Sequence, residues 1–373
     1  MTRPLRIGYM PLTDAGLLFV AAAKGFDHEE GLVFDLRPET SWANLRDKLA
    51  LGIYDAAHML APVVIASTLG LEGFAAPMIG AVALGLDGNA ISVAPPLADC
   101  MREKAKGDFA DPAVTARALA AVVAERRNKV LPNLRFAHVF PYSTHHYQLK
   151  LWMRLGGVDL EGVRMTVTPP PLMGESLRGG FVNGFCVGEP WNSLARDAGE
   201  AEILHPCRAL TPDCPEKVLA FRADAAGQEK ELPRAAARAV RRAALWGESP
   251  ENKKEFCFLV AEGLGGGVTP AMVATVLGRD GRSAPWLRLD ADSTALSGMQ
   301  ALWLYVLIAA NRQSPVSEEF AGRAREAFWP QDGAPPAPSA PAFFDGPFAE
   351  ADWRDVLAAL SEPQRGDPTE SAF

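Results

Sequence analysis

A chain of 373 residues is too long for one compact core of ordinary size, so two domains or one large α/β domain are expected. Apolar residues make up 48% and charged residues 22%, a balance that argues against a disordered chain. The net charge of −8, with no long basic stretch, argues against direct nucleic-acid binding. No apolar run reaches the ~18 residues of a membrane-spanning helix.

From the N-terminus, Leu5-Arg6-Ile7-Gly8-Tyr9-Met10 reads as a strand with no apolar signal segment before it. The expectation is a cytoplasmic protein. The five cysteines, an odd number without paired spacing, fit free thiols in a reducing compartment. Strands are predicted over 5–10, 33–37, 54–59, 89–93, 134–140, 163–168, 182–187 and 217–222. Helices are predicted over 15–27, 42–51, 62–69, 114–129, 144–155, 171–179 and 190–198. This alternation predicts βαβ units and mainly parallel sheets, followed by a nearly all-helical stretch over 229–329. The expected domains are lobe I at 1–92 plus 217–330 and lobe II at 93–216, with crossings near 92–95 and within 190–216. Residues 331–347 carry a Pro-rich linker, and 348–373 a short C-terminal helix and tail.

Six segments fall where strands end or helices start, the places where open α/β sheets bind ligands. The first is Met10-Pro11-Leu12-Thr13-Asp14, leaving strand one. In the second, Ser41 is a good N-cap, so the free N–H groups of the next turn and the helix dipole favour an anion, and Trp42 adds a flat face. Read alone, Trp42 suits the core equally well. Asn89 offers an amide beside the first crossing, although alone it is more often a turn residue. In Pro141–Tyr147, Ser143 or Thr144 can cap a helix whose first turn holds His145 and His146; adjacent histidines do not share a helix face, so no metal is expected there. Gly188 ends an apolar strand where backbone can approach a ligand, Pro190 stands at a favoured helix N1 position, and Cys186 reads as a small core residue. Lys217 opens a strand and can bring one ammonium to the cleft. Together these supply a planar aromatic, an amide, an imidazole, helix N-termini and one ammonium, a set suited to a small planar anion such as nitrate. No GxSxG, Walker A, GxGxxG or HExxH pattern points to catalysis, and no cofactor is expected.

The segments SWANLRDKLA, YDAAHMLAP, GNAISV, STHHYQLKLW and GFCVGEPWN resemble the nitrate- and bicarbonate-binding proteins of ABC uptake systems, over roughly residues 5–330. The resemblance implies an α/β, periplasmic-binding-protein type II fold, with two lobes closing on the ligand. It implies anion contacts at Trp42, Asn89, His145, Gly188 and Lys217, with Thr13, Ser41, Thr144, Glu189 and Trp191 as supporting neighbours. Asn89 departs from the glutamine expected in transport relatives. Without an export signal or a Walker A loop, the chain looks like the cytoplasmic nitrate sensor of bacterial nitrate assimilation. That sensor, when ligand-free, holds an RNA-binding antiterminator of the ANTAR class inactive.

Two other readings fit parts of the sequence. One is the solute-binding component of a nitrate or bicarbonate ABC transporter. Glu216 stands where bicarbonate-binding relatives are expected to place a calcium-linked carboxylate. The other is an enzyme on the same fold, such as a thiamine-pyrimidine synthase, whose cysteine-rich iron motif is not found.

Overall fold

The computed structural model describes residues 3–71, 73, 76–282, 284–329, 348 and 353–361. Its strands are β1 (Arg3–Tyr9), β2 (Leu32–Pro38), β3 (Ala56–Leu60), β4 (Met78–Ala83), β5 (Leu86–Asp87), β6 (Asn89–Val93), β7 (Leu134–His138), β8 (Val163–Val167), β9 (Gly184–Gly188), β10 (Glu202–Pro206), β11 (Lys217–Arg222) and β12 (Leu287–Arg288). One five-stranded sheet has the order β2-β1-β3-β11-β4, a second the order β10-β6-β9-β7-β8, and β12 pairs with β5.

The sheets are mixed, not mainly parallel as the alternation predicted. β11 runs antiparallel to β3 and β4, and β6 runs antiparallel to β9 and β10. The physical reason is the route of the chain. β6 and β11 are the first strands reached after each change of sheet, and each enters its new sheet against the direction of the strands beside it. The sheet changes occur between Ala83 and Asn89 and between Pro206 and Lys217. The first therefore comes earlier than the expected 92–95, because Asn89–Val93 already pairs with β9.

Strands β4 and β10 and the helix Pro95–Lys104 were not anticipated. The first is a short apolar run with no alternation, which periodicity alone does not separate from helix. The expected helix 15–27 breaks at Gly25, which takes a φ of 73° that glycine adopts at no steric cost, leaving Gly16–Ala23 and Phe26–Glu29 as separate helices.

Among the described residues, three apolar clusters form the core. One packs the first sheet against the helices Gly16–Ala23, Glu231–Glu248 and Lys253–Leu264. Another lies within the second sheet's helices, around Leu119, Trp152 and Met153. The third spans both sheets, joining Trp42, Leu45 and Met59 to Val139, Tyr147 and Phe185. Into it goes the helix Gly298–Ala310, apolar on every face and therefore buried, and opened by a capping box in which Ser297 and Gln300 satisfy each other's backbone N–H.

The linker expected at 331–347 lies outside the described residues. Beyond it, the helix Trp353–Ser361 packs on Gly298–Ala310, with Trp353 buried and its ring 5.9 Å from that of Tyr305. From the second lobe, Arg154 donates to the carbonyls of Leu360, at 2.6 Å, and Ala359.

Candidate functional site

The ends of β1 and β9 meet face to face. The segment leaving β1 becomes a single 3-10 turn, Thr13–Ala15, and its Thr13 N–H donates to the Glu189 carbonyl at 2.7 Å. The Trp191 indole N–H donates to the Pro11 carbonyl at 3.1 Å. These two bonds join the segment leaving β1 to the segment leaving β9. Pro190 is the N-cap residue and Trp191 opens the helix Trp191–Asp197, one position later than expected.

Lys217, first residue of β11, is fully buried. Its ammonium lies 3.0 Å from Asp14 Oδ2 and donates to Asn89 Oδ1 at 2.9 Å. Asn89 opens β6 and sits in register opposite Gly188, the last residue of β9. A Cβ on Gly188 would come within 3.3 Å of Lys217 Nζ and 3.5 Å of Asn89 Oδ1, so glycine leaves the approach to the ammonium open. Burial lowers the Lys217 pKa, but Asp14 and Glu216 outweigh it and raise the pKa above the usual lysine value, so the ammonium stays charged. Burial likewise pushes Asp14 up, and Lys217 and His58 overcome it and hold the carboxylate below its ordinary range.

The helix Thr144–Leu155 brings its first turn to the same place. Ser143 is the cap, its Oγ accepting from the His146 N–H at 3.2 Å. That frees the Thr144 hydroxyl to donate to Glu216. Gln148, one turn on, donates to Glu216 Oε1 at 2.9 Å and accepts from Asn89 Nδ2 at 2.9 Å. Asn89 Nδ2 also reaches Glu216 Oε2 at 2.5 Å. Burial raises the Glu216 pKa, with Lys217 and these donors opposing it. Both Glu216 oxygens are thus occupied by protein donors.

His145, beside Thr144, is fully buried, and neither ring nitrogen has a hydrogen-bond partner among the described residues. Burial, and then the Lys217 charge, push its pKa well below the ordinary value, so the ring is neutral with one N–H to offer. Trp42 opens the helix Trp42–Ala50, which Ser41 caps by accepting from the Asn44 N–H at 3.2 Å. The buried Trp42 Nε1–H also lacks a partner among the described residues. Its ring stands edge-on to His58, 5.6 Å between centroids, and His58 Nε2 lies 3.0 Å from Asp14 Oδ1, near enough for an ion pair but without hydrogen-bond alignment.

The geometry therefore brings Asn89, Gly188, Lys217, Thr144 and His145 together, and links Trp42 to them through His58 and Asp14. Thr13, Glu189 and Trp191 close the mouth, and Ser41 acts only as a cap. Reading the sequence missed Asp14, His58 and Gln148. Asp14 stood within a flagged segment and His58 within the quoted YDAAHMLAP run, so both were visible as polar residues in apolar surroundings. Chemically, a charged ammonium already balanced by a carboxylate belongs to the same buried group as two neutral N–H donors, one near it on His145 and one on Trp42 reached through His58 and Asp14, which suits a weakly basic anion with spread charge. Among the described residues no cluster of three or more His, Cys, Asp or Glu is placed to hold a metal.

Comparison with known proteins agrees with this architecture. Residues 1–261 match the model of the NMT1-like family. The chain is 29% identical over 269 residues to the nitrate/nitrite binding protein NrtA of Nostoc sp., covering 70% of this chain and 58% of that protein. It is 31% identical over 265 residues to NrtA of Synechococcus elongatus, covering 69% and 57%. It thus spans less than three fifths of the length of these relatives. A bicarbonate-binding protein, CmpA of Synechococcus sp., is 24% identical over 275 residues, covering 69% of this chain and 57% of that protein. Among solved structures, the periplasmic nitrate-binding protein NrtA from Synechocystis superposes with a TM-score of 0.81 at 24% identity, covering 96% of this chain and 98% of that one. These relatives are named for solute binding and not for catalysis. This chain belongs to the NMT1-like family and has the two-lobed α/β fold of the periplasmic binding proteins, type II.

Proposed function

We propose that the chain binds nitrate, or nitrite as a similar small oxyanion, between its lobes and acts as a cytoplasmic sensor. Ligand-free, it holds an ANTAR-class RNA-binding antiterminator; the bound anion releases it. The observation that carries the anion reading is the group of buried N–H donors without protein partners, Trp42 Nε1 and the His145 imidazole, beside the Lys217 ammonium. A planar anion takes several modest donors at once, and the names of the NrtA relatives support nitrate and nitrite. Glu216 weighs against the calcium-linked bicarbonate reading, because Asn89, Thr144 and Gln148 already take both its oxygens.

The sensing role rests on the motif resemblance and on linkage. If the partner prefers the anion-free state, anion and partner weaken each other's binding by the same factor. A net charge of −8 suits a basic RNA-binding partner, and five unpaired-by-spacing cysteines suit a reducing compartment. A second reading, the binding component of an uptake system, is favoured by the names of the relatives.

Calorimetric titration of nitrate, nitrite and bicarbonate into the purified protein tests the ligand; saturable nitrate binding is expected, and heat from bicarbonate alone would overturn the reading. Size exclusion of the protein mixed with an ANTAR antiterminator tests the switch. A complex without nitrate that dissociates with nitrate is expected. A complex stable in both buffers refutes the switch, and no complex in either, with the native protein recovered outside the cytoplasm, restores the uptake reading.

A further inference from the structure

The helix Thr144–Leu155 has a second face. Thr144, His145 and Gln148 turn towards the cleft, while Tyr147, Lys150, Leu151 and Arg154, spaced three and four apart, turn the other way. There they wall a cavity of about 530 Å³ whose opposite side is Leu307, from the helix Gly298–Ala310, and Leu360, from the C-terminal helix. This volume falls in the ~300–1,000 Å³ range of small-molecule sites and is far larger than nitrate needs. The cavity therefore calls for a different ligand from the cleft.

Its charge is also defined. Lys150 is half-buried and has no ion-pair or hydrogen-bond partner among the described residues. Burial lowers its pKa, and the nearby Arg312 lowers it further. Arg154 adds a guanidinium on the same wall, held by the Leu360 and Ala359 carbonyls. Two carboxylates also line it: Asp159, already paired with Arg127, and Glu161. An unpaired ammonium beside the apolar side chains of Leu151, Leu307 and Leu360 asks for an acid group carried on an apolar body.

We propose that this cavity is a second ligand site, taking an organic anion whose acid group meets Lys150 and whose apolar body lies against Leu151, Leu307 and Leu360. A molecule seated there touches both the helix that carries His145 and the helix Gly298–Ala310 of the other lobe, so it bridges the elements that position the cleft.

The test uses the full chain and 8-anilinonaphthalene-1-sulfonate, an organic anion with an apolar body that fluoresces when held in an apolar site. One saturable site is expected, and it should persist in nitrate-saturated protein. Lys150→Met should weaken it at least tenfold, and Ala310→Phe, which fills the cavity from its wall, should abolish it, with the far-ultraviolet circular dichroism of both variants unchanged. Absence of saturable binding, displacement by nitrate, or equal binding by both variants would overturn the proposal. Should Lys150→Met fail to fold, Ala310→Phe decides alone.

Discussion

Replacing Lys217 by methionine tests the centre of the site. The side chain is fully buried, and its charge faces Asp14 Oδ2 at 3.0 Å, the Asn89 carbonyl oxygen at 2.9 Å and Glu216 Oε2 at 3.8 Å. At an effective dielectric of about 20, a pair 3.0 Å apart attracts by roughly 5–6 kcal/mol before desolvation is subtracted. The measurable quantity is the cost of breaking the pair, which is roughly 3–5 kcal/mol when one buried partner is removed and the other stays charged. Lys217→Met should therefore lose about that much unfolding free energy at pH 7, in urea titrations of anion-free protein followed by tryptophan fluorescence. The loss should shrink in acid. Asp14 has a folded pKa below its unfolded value of 3.8, so the stability it contributes is present above that value and disappears as pH falls through the folded pKa. Adding Asp14→Asn should restore most of the loss, because it removes the carboxylate nearest the lost ammonium, while Glu216 keeps its hydrogen bonds to Asn89, Thr144 and Gln148. A loss below about 1 kcal/mol in the single variant, or simple additivity in the double, would refute the reasoning. For the same reason Lys217 is a poor probe of anion affinity, since its removal disturbs the fold and the binding together.

Trp42→Phe is the cleaner probe: it removes the Nε1–H and one ring of the indole without touching a charge, keeping a ring against His58, and nitrate affinity by calorimetry should fall by about 1.5–3 kcal/mol, the range for a hydrogen bond to a charged group. Unchanged affinity would remove Trp42 from the contact set. Glu189 is buried, which raises its pKa to about 7 from 4.5, with Ser193 and Arg196 opposing and Asp197 adding to the rise. A raised folded pKa contributes stability fully present below pH 4.5 and lost as pH rises through about 7, so Glu189→Gln should gain up to roughly 3 kcal/mol on the native protein across that window. A stability difference that stays constant between pH 4 and pH 8 would contradict this. Ser143→Ala should cost about 1 kcal/mol, or up to 2, through loss of the cap at His146 N–H, read by the same urea titrations.

How much of this was legible in the sequence depends on the range of the interaction that made it. The helices beginning at Trp42 and Thr144 announce themselves through Ser41 and Ser143, because a cap is a contact between residues three apart. The strand ends at Gly188 and Lys217 follow from apolar runs bounded by Gly and Pro. What periodicity does not carry is the partner of a strand. Nothing local says that Asn89 lies opposite Gly188, or that β11 slots between β3 and β4 in reverse. His58 was passed over for a related reason: β3 is buried along its whole length, so it lacks the alternation that would mark one inward polar position. The Asn89–Thr144–Gln148–Glu216 network joins residues up to 127 positions apart, and only the closed fold brings them together.

The two bonds from Thr13 to Glu189 and from Trp191 to Pro11 have a kinetic meaning. They lie across the facing strand ends, so an anion held beneath them, as proposed, leaves when that seam parts and not when its own contacts fail. Residence time and affinity are then set by different residues. A substitution at Trp191 would quicken release and capture together while leaving their ratio nearly unchanged, whereas one at Trp42 would alter the ratio. If the chain senses its anion as proposed, it reports the recent average of its surroundings, with a memory as long as the seam takes to open.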